Sequence, residues 1–240
     1  MIPVIAAFQF LSIFPTIIRR MFTSQEMGRA VGWFPLVGLV LGSLLYGIHH
    51  VAQLIFPTNV TAALTIFAWV LFTRAFHLDG FMDTCDALFG GFTEERRLEI
   101  MKDSRMGAFG VAGGILILLT QYTALASSLN LWPALVLSAT LGRWASPLVI
   151  YGFPYAREEG LVYEMKRNVG LREIIIGTLF TGLVSWFVYG WMGFVLMLSS
   201  AFAGWLVAKY SMRLLPGLTG DIYGTVTTVV ETLILLVFTI

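Results

Sequence analysis

AVGWFPLVGLVLGSLLYGIHHVAQLIFPTNVTAALTIFAWVLFT, residues 30–73, runs for 44 positions without a lysine, arginine, aspartate or glutamate. A single membrane-crossing helix needs about 20 apolar residues, so the run is too long for one crossing and suits two, joined at Pro57-Thr58-Asn59. Two further runs behave alike. Residues 106–142 and 174–208 carry no charge over 37 and 35 positions, and each has turn signals near its middle, at Asn130-Leu131-Trp132-Pro133 and at Tyr189-Gly190-Trp191-Met192-Gly193.

The whole chain agrees with that reading. Of its 240 residues 58% are hydrophobic and only 12% charged, against about 25% charge in a soluble domain, which must still wet its surface. The expected fold is therefore all-α, a polytopic integral membrane bundle. It has about seven transmembrane helices, counting a last one over roughly 222–240, and eight if the N-terminal segment also crosses. That segment, MIPVIAAFQFLSIFP, lacks the basic start of a secretory signal and reads as anchored or re-entrant. Linkers, low-complexity tracts and clear repeats are absent, so residues 1–240 read as one domain. A net charge of +1 gives no case for nucleic acid, and a lone cysteine, Cys85, permits no intramolecular disulfide or thiolate zinc cluster. Glycines spaced GxxxG at 28/32, 38/42, 110/114 and 220/224 suit close helix packing in lipid.

The charges sort by position. They fall at Arg19, Arg20 and Arg29, from Glu94 to Arg105, from Arg157 to Glu173, and at Lys209, Arg213 and Asp221, while the three turns carry none. Hairpins return to the side they leave, so these segments share one face, and lysine and arginine in short loops mark it as cytoplasmic. Only Arg74, Arg143 and Glu231 look embedded. A lone charge in lipid is costly. Arg143 and Glu231 lie at depths that differ by about 3 Å at 1.5 Å per helical residue, so they pair, or else contact a phosphate and a substrate hydroxyl.

Chemistry concentrates in HLDGFMDTCDALFGG, residues 77–91. Asp79, Asp83 and Asp86 fall within roughly a 60° arc of one helix face, and three carboxylates there repel unless something positive compensates. Glu99 and Asp103 form a second acidic pair four residues apart. The two sets, joined through Gly90-Gly91, suit a divalent cation held by oxygen ligands, Mg²⁺ or alternatively Mn²⁺ rather than zinc. Arg96, Arg97, Lys102 and Arg105 suit a phosphate or pyrophosphate. His77 lies on the opposite face of its helix, as a packing residue or a substrate contact. Asp221, in GLTGDIYG, either joins the site or caps the last helix.

HLDGFMDTCDALFGG followed by RRLEIMKDSRMGAFG, with AAFQFLSIFP, GRAVGWFPLVGLVLG and GLTGDIYG, resembles the cobalamin synthase family, adenosylcobinamide-GDP ribazoletransferase. The resemblance runs through most of the chain. It implies a multi-pass enzyme of a prokaryotic plasma (inner) membrane with its site facing the cytoplasm, possible as an oligomer. Such an enzyme joins adenosylcobinamide-GDP to α-ribazole or its 5′-phosphate with Mg²⁺ and releases GMP. On that reading Asp79, Asp83, Asp86, Glu99 and Asp103 hold the metal, with Asp86 and Asp103 also catalytic and Asp103 the expected base. His77, Arg96, Lys102, Arg105, Arg143, Asp221 and Glu231 are its substrate and phosphate contacts. The family commonly has glycine after its third aspartate, where Ala87 stands here. Two other classes compete: a CDP-alcohol phosphotransferase, whose acidic signature has another spacing, and a transporter.

Overall fold

The computed structural model describes residues 1–240 as helices and connecting loops. In chain order the helices are α1 (Ile2–Leu11), α2 (Ser24–Ala30), α3 (Phe34–Gln53), α4 (Thr58–Phe72), α5 (Phe76–Gly90), α6 (Glu94–Ile100), α7 (Ala108–Ala126), α8 (Leu131–Gly152), α9 (Leu161–Asn168), α10 (Leu171–Ser211) and α11 (Gly220–Val237). A single 3₁₀ turn, Val31–Trp33, joins α2 to α3. Five helical stretches are long and apolar enough to cross a membrane, and a sixth arises if α4 and α5, bent by 89°, count as one broken span. The chain is thus a multi-pass membrane protein. α10 is counted once by length, but Tyr189 and Gly190 leave helical geometry, Gly190 at φ 58°. There the backbone folds back so tightly that Gly193 packs on the backbone of Ser185. α1, with 10 residues, spans about 15 Å at 1.5 Å per residue, half the hydrocarbon thickness. It is too short to cross.

The first hairpin, α3–α4, is closed, with His49 Nδ1 and Thr65 Oγ1 at 3.0 Å. The second is open. α11 lies between α7 and α8, and Leu129 in their connecting turn donates to the carbonyl of Phe238 at 2.8 Å. α8 is the axis of the bundle, buried almost throughout from Pro133 to Ile150. Helix axes can approach this closely only where side chains are small. Gly38 and Gly42 of α3 supply that: a Cβ on either would lie 2.7 Å from the Cα of Thr140 or Val136.

The bend between α4 and α5 rests on two consecutive residues in the left-handed region, Arg74 (φ 54°) and Ala75 (φ 56°). Neither is glycine, so each costs on the order of 1 kcal/mol. Tertiary contacts hold them: Arg74 Nη2 donates to the carbonyls of Gln9 (3.0 Å) and Phe10 (3.3 Å) in α1. The charged segments meet at one end of the bundle. Arg97 donates to the carbonyl of Leu214 at 3.1 Å, Arg157 to that of Met101 at 3.3 Å, and the loops around Tyr155 and Leu218 form a parallel β-bridge. The turns of α7–α8 and α10 meet the end of α11 at the opposite pole, with the rings of Tyr189 and Phe238 5.0 Å apart.

Candidate active site

The bend aims α5 back toward the charged end and lays it against α11. Contact is closest at Gly80, where a Cβ would come 3.0 Å from the Cα and carbonyl oxygen of Asp221, and at Gly224, where it would come 3.2 Å from the carbonyl of His77. Threonines fasten the seam: Thr225 Oγ1 lies 2.8 Å from Thr84 Oγ1, and Thr228 Oγ1 donates to the carbonyl of His77 at 3.1 Å. Because glycine separates Asp79 from Asp83 on that face, the first turn of α11 brings Asp221 beside both. The charges acting on Asp83 are those of Asp79, Asp221 and Asp86, opposed by Arg157.

Asp221 is oriented from two sides. Thr219 caps α11, accepting from the N–H of Ile222 at 3.4 Å and donating to Asp221 Oδ2 at 3.1 Å. Arg157 Nη2 stands 3.7 Å from the same oxygen, carried there by the β-bridge between its loop and the α10–α11 connection. Asp83 and Asp221 thus share one guanidinium, with Asp79 beside them, an excess of negative charge near lipid where screening is poor. Burial pushes the Tyr155 hydroxyl, in the same loop, above its ordinary pKa. Beside Arg157 opens a polar cleft of about 660 Å³, lined by Leu98, Lys102, Ala156, Arg157, Glu158 and Glu159.

The sequence profile of the family described as cobalamin-5-phosphate synthase matches residues 3–239. The chain belongs to the cobalamin-5-phosphate synthase family. A relative from Desulfitobacterium hafniense (strain Y51) is 37% identical over 238 residues, covering 96% of this chain and 93% of its own. One from Geotalea daltonii is 35% identical over 231 residues (96% and 94%). One from Pseudomonas syringae pv. syringae is 35% identical over 245 residues (98% of each). All three are named adenosylcobinamide-GDP ribazoletransferase. No solved structure matches the chain. Membership over nearly the whole length sets aside the CDP-alcohol phosphotransferase and transporter alternatives.

In this cobalamin synthase family member the five carboxylates expected to share a metal do not converge. As the side chains stand, no three His, Cys, Asp or Glu groups are placed to hold a metal ion. Asp86 is buried, 8% exposed, and turns both oxygens to the start of α7, accepting from the N–H of Gly107 at 2.7 Å and of Gly110 at 2.8 Å. It compensates the positive end of that helix. Glu99 pairs with Arg96 at 3.0 Å on the exposed face of α6. Asp103 pairs with Arg105 at 2.7 Å, and that hydrogen-bonded guanidinium holds its carboxyl down at about 2. An ion-paired carboxylate is a poor match for taking a proton near neutrality, so Asp103 would serve as the base only with Arg105 displaced. Arg96 and Arg105 are thereby engaged, whereas Lys102 lines the polar cleft. Ala87 is fully buried in the apolar core.

Arg143 and Glu231 pair, as their matched depths predict, with Nη1 and Oε1 2.6 Å apart and both side chains buried. Glu231 is ten residues along α11 from Asp221, about 15 Å at the helical rise, so the pair is separate from the acidic cluster. His77 points into the bundle beside Arg143. Arg157 stood among the charges of one loop with nothing in the sequence to single it out. Only the bridge between Tyr155 and Leu218, far apart in the chain, brings it to the site.

Proposed function

We propose that this chain is an adenosylcobinamide-GDP ribazoletransferase of the bacterial inner membrane, with its charged end in the cytoplasm. It joins adenosylcobinamide-GDP to α-ribazole or its 5′-phosphate and releases GMP. The observation that carries the reading is the cluster of Asp79, Asp83 and Asp221 around Arg157 at the charged end of the bundle, in a chain whose named relatives are ribazoletransferases.

A ribazole hydroxyl attacks the phosphorus that bears the corrinoid arm. The bond from that phosphorus to the GMP oxygen breaks, and GMP leaves with the electron pair. Arg157 and Lys102, on the wall of the polar cleft, neutralise the pyrophosphate and the departing GMP. The hydroxyl proton goes to whichever of Asp79 and Asp83 does not ligate metal, because the ion pairs and hydrogen bonds at this end engage Asp221, Asp86, Glu99 and Asp103 and leave those two free. The oxygen chemistry of Asp79, Asp83 and Asp221 fits Mg²⁺, which binds through one or two carboxylates plus substrate phosphates and so requires no finished protein cage. Bound there, it would supply charge neutralisation at the pyrophosphate.

The test is GMP release by the purified protein in lipid nanodiscs, given adenosylcobinamide-GDP and α-ribazole. Turnover is expected to vanish on chelation and return with Mg²⁺. Product formation that survives chelation would refute the metal assignment, and no GMP under any condition would refute the reaction.

A further inference from the structure

Behind the acidic cluster, on the inner side of α5 and α11, lies a pocket also walled by α1, α3, α8 and α9. It holds about 420 Å³ of empty space counting its mouth, yet the centre of a water molecule fits through only about 40 Å³ of it. It is a narrow slot. Its walls are rings and aliphatic chains: Phe10, Phe34, Phe76, Ile150, Val162 and Met165. The lining is almost wholly apolar, and its larger polar residues, beside Ser146 and Thr227, are His77, Arg143 and Tyr223, which are 7%, 1% and 5% exposed. Each presents a buried atom with no hydrogen-bond partner: Nδ1 of His77, Nε and Nη2 of Arg143, and the hydroxyl of Tyr223. Buried polar atoms are nearly always satisfied, so four unmet ones on three residues that line a single slot ask for a ligand that small side-chain shifts would let them reach.

Charge and shape select its class. Glu231 neutralises Arg143 through the 2.6 Å pair, and no other charged residue lines the slot. A phosphate there would be an uncompensated charge between apolar walls. A neutral, flat ring with an acceptor atom meets the donors and fills the aromatic walls. Guanine is flat too and could offer O6 and N7 to the Arg143 donors, but its N1–H and NH₂ edge would then lie unpaired against apolar walls.

We propose that the slot binds a neutral planar heteroaromatic base with one acceptor nitrogen and otherwise apolar edges. Given the proposed reaction, on which this identification rests, that is the dimethylbenzimidazole of the ribazole substrate. Its ring nitrogen accepts from the Tyr223 hydroxyl or Arg143, and its methyl groups meet the phenylalanines. Gly220 and Gly224 line the slot on either side of Asp221, so a base seated there hands its ribose toward the acidic cluster.

Calorimetry on the full chain in nanodiscs, without metal or corrinoid, tests the site directly. Free 5,6-dimethylbenzimidazole and α-ribazole should bind, and guanosine and inorganic phosphate should not. Tyr223→Phe, which removes one oxygen and preserves the ring, should weaken binding of the base about tenfold. Val162→Trp should block the slot. In turnover both variants should raise KM for α-ribazole and leave KM for adenosylcobinamide-GDP unchanged. Guanosine competing with the base, or base binding indifferent to Tyr223→Phe, overturns the proposal even if Val162→Trp fails to fold. Base binding that depends on Tyr223 without any GMP release would sink the reaction and keep the slot. GMP release with base binding unaffected would do the reverse.

Discussion

Three aspartates on one helical face look interchangeable in sequence, and the structure separates them. Asp83 lies among Asp79, Asp221 and Arg157, whereas Asp86 is consumed by two backbone N–H groups of α7. The face was legible from spacing alone. The division was not, because the start of α7 beside Asp86 depends on the path of residues 91–106. Asp83→Asn should leave the thermal midpoint near wild type and lower the rate of GMP release by orders of magnitude. Asp86→Asn should do the opposite. An amide offers one oxygen to two N–H donors and turns its own NH₂ against the other, a loss of about 2–3 kcal/mol, with turnover per folded molecule largely retained. Unfolding curves and initial rates on the same preparations separate the two roles. The Arg143–Glu231 pair was readable from depth counting, because lipid leaves a buried charge few partners. Arg143→Gln or Glu231→Gln alone should destabilise by about 3–5 kcal/mol by stranding the other charge. The double variant should lose clearly less than the sum, and strict additivity in a double-mutant cycle would show that the pair is not coupled.

At the scale of elements, α5 decides whether a site exists. Its orientation comes from the left-handed pair Arg74-Ala75, which no glycine or proline announces. The bend is enforced by α1, through carbonyls more than 60 residues away, and a local reading of the chain has no access to that. The GxxxG spacings were visible and found real neighbours: Gly38 and Gly42 face α8, and Gly224 faces His77. Gly80, isolated in the acidic motif, gave no such hint and yet sets the distance between Asp221 and the α5 carboxylates. Gly80→Val is therefore expected to force α5 and α11 apart and to reduce turnover at least tenfold, more than its loss of stability accounts for. Gly47 provides the contrast. A Cβ there meets nothing within 4 Å, so Gly47→Ala should keep full activity and add a few tenths to about 1 kcal/mol of stability. If both substitutions lower activity alike, close approach at Gly80 is not what positions the site.

The whole molecule is polarised along its axis, and that property was the most legible, because charge runs report on lipid more directly than any motif reports on chemistry. All Lys and Arg residues except Arg74 and Arg143 belong to segments at the α6, α9 and α2 end, where loops cross-link through Arg97, Arg157 and the Tyr155–Leu218 bridge. The opposite pole is uncharged and aromatic: Trp132 packs on Tyr46 at 5.1 Å and Tyr189 on Phe238 at 5.0 Å, as suits side chains at a membrane–water boundary. What the charge map missed is the open second hairpin, since nothing within residues 106–142 shows that α11 will enter between its arms. The charged end should face the cytoplasm, where nucleotide substrates are made and where basic loops are retained. Single cysteines in a Cys85→Ser background test this with a membrane-impermeant maleimide on intact cells. Asn59→Cys, Asn130→Cys and Trp191→Cys should label from outside. Glu95→Cys and Glu159→Cys should label only after the membrane is opened. Labelling at 95 and 159 in intact cells, with protection at 59, 130 and 191, would invert the protein and place its pyrophosphate chemistry on the side that lacks the substrate.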